Sequence, residues 1–300
     1  MYNEERKKQF IAEKRENAIL SNNIINGFND AELWETRLGR DLCEWNSNEI
    51  IGFYKYLSRY SVQSLVQLNN SFESYTNWCI VNGLVSNFQN HYSEIKPQTL
   101  IKCIDLKVLE NGIIARDELL REINKLPNYC DKFIILGIFE GISVTGDVMK
   151  NVKVSDLNGN HLALSNGITL TISDELKNII LDANDEMSYV GFTEIRPRKA
   201  NYISGDTVLR YSEKYHGNKS TVYIGTRMRR SMEFLGYENV TIKSLMESGR
   251  IQMCKELTAK RGVEPIDAVR DPNLRIIHEK IYGKIQNITT YIDTYGKFFV

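Results

Sequence analysis

Apolar residues return every three or four positions along several stretches of the 300-residue chain, the spacing that gathers them on one face of an α-helix. The clearest stretch is 61–83, where Val62, Leu65, Leu68, Phe72, Tyr75 and Trp78 form the stripe, with Ser61 as N-cap and Asn82-Gly83 as the stop. Residues 47–60 repeat the pattern through Ile50, Phe53, Tyr54 and Leu57, with Ser47 as cap, so the first hundred residues are expected to form a small helical bundle. Helices are then expected over 117–126 and 131–139, parted by Pro127. The period changes next. Residues 151–155, 161–164 and 169–172 alternate or carry β-branched side chains and are broken by Asn158-Gly159-Asn160 and Asn166-Gly167, which predicts a three-stranded antiparallel meander. Further helices are expected over 173–183, 221–235, 242–259 and 273–295, with a mixed segment up to residue 220. In the last of these, Ile277, Ile281, Ile285, Ile288, Ile292 and Tyr295 form the stripe expected to bury itself.

This is a mainly α chain with one small antiparallel sheet, and its length favours two domains. The segment 91–105, which contains Pro97, is the natural place to divide it, giving a helical domain over 1–103 and a second over 104–300. Hydrophobic residues make up 42% and charged residues 25%, enough apolar matter for a packed core and no mark of disorder. The longest apolar run, Phe133 to Phe139, falls far short of the roughly 20 residues that span a bilayer, and MYNEERKKQF has no signal-peptide core, so a cytoplasmic location is expected. Cys43, Cys79, Cys103, Cys130 and Cys254 are odd in number and unpaired in spacing; the four histidines are equally scattered. Neither disulfides, a metal nor a cofactor is implied.

The segment Leu136 to Leu157, LGIFEGISVTGDVMKNVKVSDL, changes the picture most. It resembles the phage integrase family, the tyrosine recombinases, in which a small-residue turn, an arginine, a short apolar helix and an Asp-ended strand follow one another. The order of elements along the chain is also similar, and Tyr75 with Trp78 matches the family's Tyr-x-x-Trp pair in the core-binding domain, although three residues apart on a helix the two are packing residues first. The resemblance implies a catalytic set of two arginines, a lysine, His or Trp donors and a tyrosine nucleophile. Here the set is incomplete. Ser143, Val144 or Thr145 falls where the first arginine belongs, and Lys150 and Lys153 lie elsewhere. In the second box, Lys243 replaces the histidine and Met246 the arginine, while Tyr291 or Tyr295 matches the nucleophile. Loss of one preorganised donor costs about 3 kcal/mol, so loss of both arginines slows strand transfer by roughly 10⁴ to 10⁶. A catalytically degenerate member of the family, and no enzyme, is what the resemblance implies.

Charge points to the ligand. Residues 1–190 carry 19 basic and 26 acidic side chains, residues 191–300 carry 19 and 12, so a polyanion prefers the last third. Arg196, Arg198, Lys199, Arg227, Arg229, Arg230, Lys243 and Arg250 are the candidate contacts to double-stranded DNA, by phosphate neutralisation or by reading guanine edges. The expected function is a sequence-specific DNA-binding regulator, a transcriptional repressor of phage or other mobile-element genes. Two rivals stay open: an active recombinase whose phosphate is reached by Arg229, Arg230 or Arg250 from another direction, and a protein-interaction module on the same fold. A regulatory protein and a second copy of the chain stay open as partners; a membrane does not.

Overall fold

The computed structural model describes residues 1–16, 22–57, 62–192, 199–203, 205–211 and 221–300, and the chain folds as two compact units, Met1–Val108 and Leu109–Val300. The first is a helical bundle of α1 (Glu4–Glu16), α2 (Asn22–Leu38), α3 (Ser47–Tyr56), α4 (Val62–Val81) and the short α5 (Pro97–Ile101); α6 (Leu106–Gly112) spans the division. The stripe expected on α4 is the core: Val62, Leu65, Leu68, Phe72 and Tyr75 are all buried, and the Tyr75 ring meets Phe10 and Phe28 edge-on at 5.2 and 5.0 Å. Trp78 stacks on Tyr75 and donates from Nε1 to Glu13 at 2.6 Å. The cap of α3 is Asn46 rather than Ser47, because Asn46 accepts from Asn48 N and Glu49 N while Glu49 accepts from Asn46 N, a closed box. Ser61, the cap expected for α4, lies outside the described residues.

In the second unit, α7 (Arg116–Ile123) leads to α8 (Tyr129–Phe139), which is buried on every side: Phe133, Ile134, Ile135, Leu136, Ile138 and Phe139 all have 2% exposure or less. A helix apolar all round belongs at a centre, and α9, α10 and α11 pack around it. The meander is shorter than its sequence pattern. β1 (Leu157–Asn158), β2 (His161–Ala163) and β3 (Thr169–Thr171) pair in that order, all antiparallel, with Leu162 opposite both Leu157 and Leu170. Of residues 151–155, expected as the first strand, Asn151 ends one 3-10 turn, Met149–Asn151, and Val154 and Ser155 open another, Val154–Asp156. Asp156 accepts from Lys153 N at 2.8 Å and holds the second of these turns closed, and Lys153 keeps only an isolated antiparallel bridge to Thr207.

Ser173 caps α9 (Asp174–Asp185) by accepting from Leu176 N. The hairpin of β4 (Ser188–Val190) and β5 (Lys199–Asn201) follows, inside the segment left mixed by the sequence. Three helices come next: α10 (Thr221–Phe234), α11 (Ile242–Ala259) and α12 (Asp267–Arg270). The single helix expected over 273–295 is two, α13 (Pro272–Tyr282) and α14 (Ile288–Tyr295), because Gly283 at φ 86 leaves the helical region. The break shifts the buried seam. Leu274, His278 and Tyr282 are the buried residues of α13 and Ile277 is 36% exposed, but Ile281, Ile285, Ile288 and Ile292 pack against the hydrophobic clusters and Tyr295 is buried, so the stripe packs from Ile281 onward.

Candidate nucleic-acid interface

The turn between α8 and the first 3-10 turn is made by the chain's own hydroxyls. Ile142 N donates to Gly137 O at 2.7 Å, Thr145 N donates to Ser143 Oγ at 3.1 Å, and the Ser143 and Thr145 hydroxyls are 2.8 Å apart. Val144 points inward. Small polar and apolar groups thus fill this turn, and the two lysines that follow are each paired, Lys150 with Asp147 and Lys153 with Asp206, both at 2.5 Å.

On α11, Thr241 caps the first turn by accepting from Ser244 N, and Lys243 stands exposed on that turn. Desolvation by the surrounding protein lowers the Lys243 pKa; Glu247 opposes the shift and Arg250 adds to it. Met246, matched by the sequence to the second family arginine, packs against the main hydrophobic core.

The basic residues divide by burial. Arg229 and Arg230 are exposed on α10, Arg229 with only a loose contact to Glu233 at 3.8 Å, and Lys199 is exposed on β5. Arg196 and Arg198 lie outside the described residues. Two expectations need correction: Arg227 and Arg250 are internal, at 6% and 4% exposure. Arg227 Nε donates to Asp131 at 2.7 Å beneath the ring of Tyr189, and although burial works against its charge, the Asp131 carboxylate prevails and raises its pKa. Arg250 donates from Nη2 to the carbonyls of Tyr282 and Gly283, at 2.6 and 2.9 Å, satisfying the end of α13. Both guanidiniums are thus turned to acceptors inside the fold.

Tyr291 and Tyr295 are each 8% exposed, with ring centroids 4.9 Å apart. Tyr291 Oη donates to Glu247 at 2.8 Å; burial first, then that carboxylate, drives its pKa well up, and burial does the same at Tyr295. The structure therefore brings Lys243, Arg250 and Tyr291 together around Glu247 and sends Arg227 elsewhere. Glu247 was missed in the sequence, although its spacing of four from Lys243 and three from Arg250 on one helix was a visible sign. No group of three or more His, Cys, Asp or Glu side chains fit to hold a metal occurs among the described residues, and no helix there is long and apolar enough to cross a membrane.

The model of the MrpR C-terminal catalytic domain matches residues 113–289, and that of the MrpR N-terminal core-binding domain matches residues 1–81. The SPbeta prophage-derived uncharacterized protein YopR of Bacillus subtilis (strain 168) is 25% identical over 315 residues, covering 98% of this chain and 94% of that one. The crystal structure of XerA recombinase is similar at 13% identity and a TM-score of 0.38, over 98% of this chain and 96% of the other. Matched over most of its length by both domain models, the chain belongs to the MrpR family, with the core-binding and catalytic domains of a tyrosine-recombinase-like protein.

Proposed function

We propose that the protein is a sequence-specific double-stranded DNA-binding regulator, a transcriptional repressor of phage or mobile-element genes, that makes no covalent DNA intermediate. The observation that carries the reading is the contrast between surface and interior in the last third. Arg229, Arg230, Lys199 and Lys243 remain exposed and suited to phosphates, while the positions that would do chemistry hold Ser143 to Thr145, Met246 and a buried Tyr291. Binding without cutting asks only for the first group.

With about six phosphate contacts, log affinity for a bound site falls against log salt with a slope near −5. Arg229→Ala, Arg230→Ala and Lys243→Ala each weaken binding by about 1 kcal/mol and remove roughly one unit of that slope, alike on every sequence if the contact is to phosphate. Titrating labelled operator DNA by fluorescence anisotropy at several salt concentrations measures both. A shallow slope that the triple variant leaves unchanged removes this surface from the interface.

The chemistry is tested separately. On a nicked suicide substrate built from the protein's own binding site, no protein-DNA adduct forms, since the transition-state charge on the phosphoryl group finds no arginine at Thr145 or Met246. An adduct that disappears in Tyr291→Phe or Tyr295→Phe would establish the active recombinase instead.

A further inference from the structure

Phe234, the last residue of α10, is 48% exposed, and its ring stacks on that of Phe192, two residues past β4, with centroids 4.9 Å apart and planes 23° from parallel. Phe192 meets Tyr189 edge-on at 6.2 Å and packs against the main core, so the pair is seated from below. A lone exposed ring is ordinary on a protein surface; a stacked pair kept in solvent asks for a use. Cations flank it. Arg230 lies one helical turn before Phe234, is exposed, and no ion pair engages it among the described residues. Burial pushes the Tyr189 phenol up to about 12, and the Arg230 charge works against that rise, which puts this guanidinium beside the hairpin. Lys199 is exposed on β5 opposite Val190, and the nearest acid on α10, Glu233, faces Arg229 at 3.8 Å. An aromatic ring between unpaired cations matches an unpaired nucleic-acid strand, whose base meets the ring and whose phosphates meet the charges. An apolar protein surface would leave Arg230 and Lys199 without counter-charges.

We infer that Phe234, backed by Phe192, is a stacking platform for an unpaired nucleobase, with Arg230 and Lys199 on phosphates of the same strand. The inference deepens the reading of the protein as DNA-binding and rests on it for the polymer. It adds a contact that phosphate tracking does not need. A base inside a duplex has both faces covered by its neighbours, so only a base turned out of the helix, or one in a single strand, offers a face to Phe234. Ring-on-base contact accepts every base, so the platform adds affinity for opened DNA rather than sequence preference.

The full chain is titrated by fluorescence anisotropy with labelled oligothymidylate and with an abasic strand of the same length, which keeps every phosphate and lacks every base. The native protein binds oligothymidylate about fivefold more tightly or better, the effect of stacking one base. Phe234→Leu, apolar but without a ring, abolishes that preference and keeps the native salt slope, whereas Phe234→Tyr retains the preference. Arg230→Ala weakens both strands alike and lowers the slope by about 0.7, the share of one phosphate on a single strand. Equal affinity of the native protein for the two strands, binding of neither, or a preference that survives in Phe234→Leu overturns the proposal. If that last variant also changes oligomeric state, the patch is a contact between copies of the chain. Should Phe234→Leu fail to fold, Phe234→Met takes its place under the same criteria. Operator duplex is titrated in parallel. A native duplex complex without the preference leaves the regulator reading standing and removes the platform, whereas the preference without any duplex complex does the reverse.

Discussion

Gly249→Ala unfolds the second unit at markedly lower urea than the native chain, with a loss of about 3 kcal/mol or more. The cause is contact, not conformation. A Cβ on Gly249 would stand 1.7 Å from the carbonyl oxygen of Phe139 and 2.7 Å from its carbonyl carbon, and both are backbone of α8, which cannot step aside as a side-chain tip can. The same carbonyl accepts the Tyr282 hydroxyl at 2.7 Å, so any withdrawal of α8 also breaks the bond that ties α13 to it. Against this stands a helix-propensity gain of about 1 kcal/mol for Ala over Gly, which the clash outweighs. Gly225→Ala on α10 is the control: its Cβ meets only Ile242 Cδ1, at an ordinary 3.4 Å, so the propensity gain survives and the variant is slightly stabilised. Urea denaturation followed by circular dichroism reads both, and equal midpoints for Gly249→Ala and the native chain would refute the close approach of α8 and α11.

What the sequence disclosed follows from the range of the interactions involved. The stripe of α4 and the limits of α11 depend on spacing within one element, and the structure has them where the periodicity put them. The resemblance to the tyrosine recombinases also stands, carried by the order of elements and by the family to which both domain models assign the chain. Residues 151–155 failed as a strand because their β-branched composition is overruled by local turns that Asp156 closes. The helix expected over 273–295 failed because the isoleucine repeat continued through Gly283, whose positive φ ends α13. Charge was the least legible property. Composition located the basic residues in the last third, but whether a guanidinium faces solvent or an acid depends on a partner far away in sequence. Arg250 finds the end of α13, and Arg227 finds Asp131 on α8, 96 residues before it.

That second pairing carries the largest change in stability expected of a single charge removal. Asp131→Ala destabilises the protein by about 3–5 kcal/mol, since it leaves a buried guanidinium with no opposing carboxylate. Asp131 is 1% exposed and accepts from Arg227 Nε at 2.7 Å and from Asn128 Nδ2 at 2.9 Å, while Asn128 in turn bonds both the N–H and the carbonyl of Val190 on β4. The pair thus joins α8, α10 and the start of the hairpin, and its loss leaves the buried Arg227 uncompensated and takes one acceptor from Asn128. What remains near Arg227 is weaker, the Arg210 carbonyl at 3.4 Å and the Tyr223 hydroxyl at 3.5 Å. Removing both charges is milder than removing one: Asp131→Leu with Arg227→Met recovers much of the loss, because no uncompensated ion is left in the core. The same variants separate a structural arginine from a DNA contact. If Arg227 acts only inside the fold, the double variant, once folded, binds operator DNA with the native salt slope, whereas a phosphate contact at Arg227 lowers that slope by about one unit.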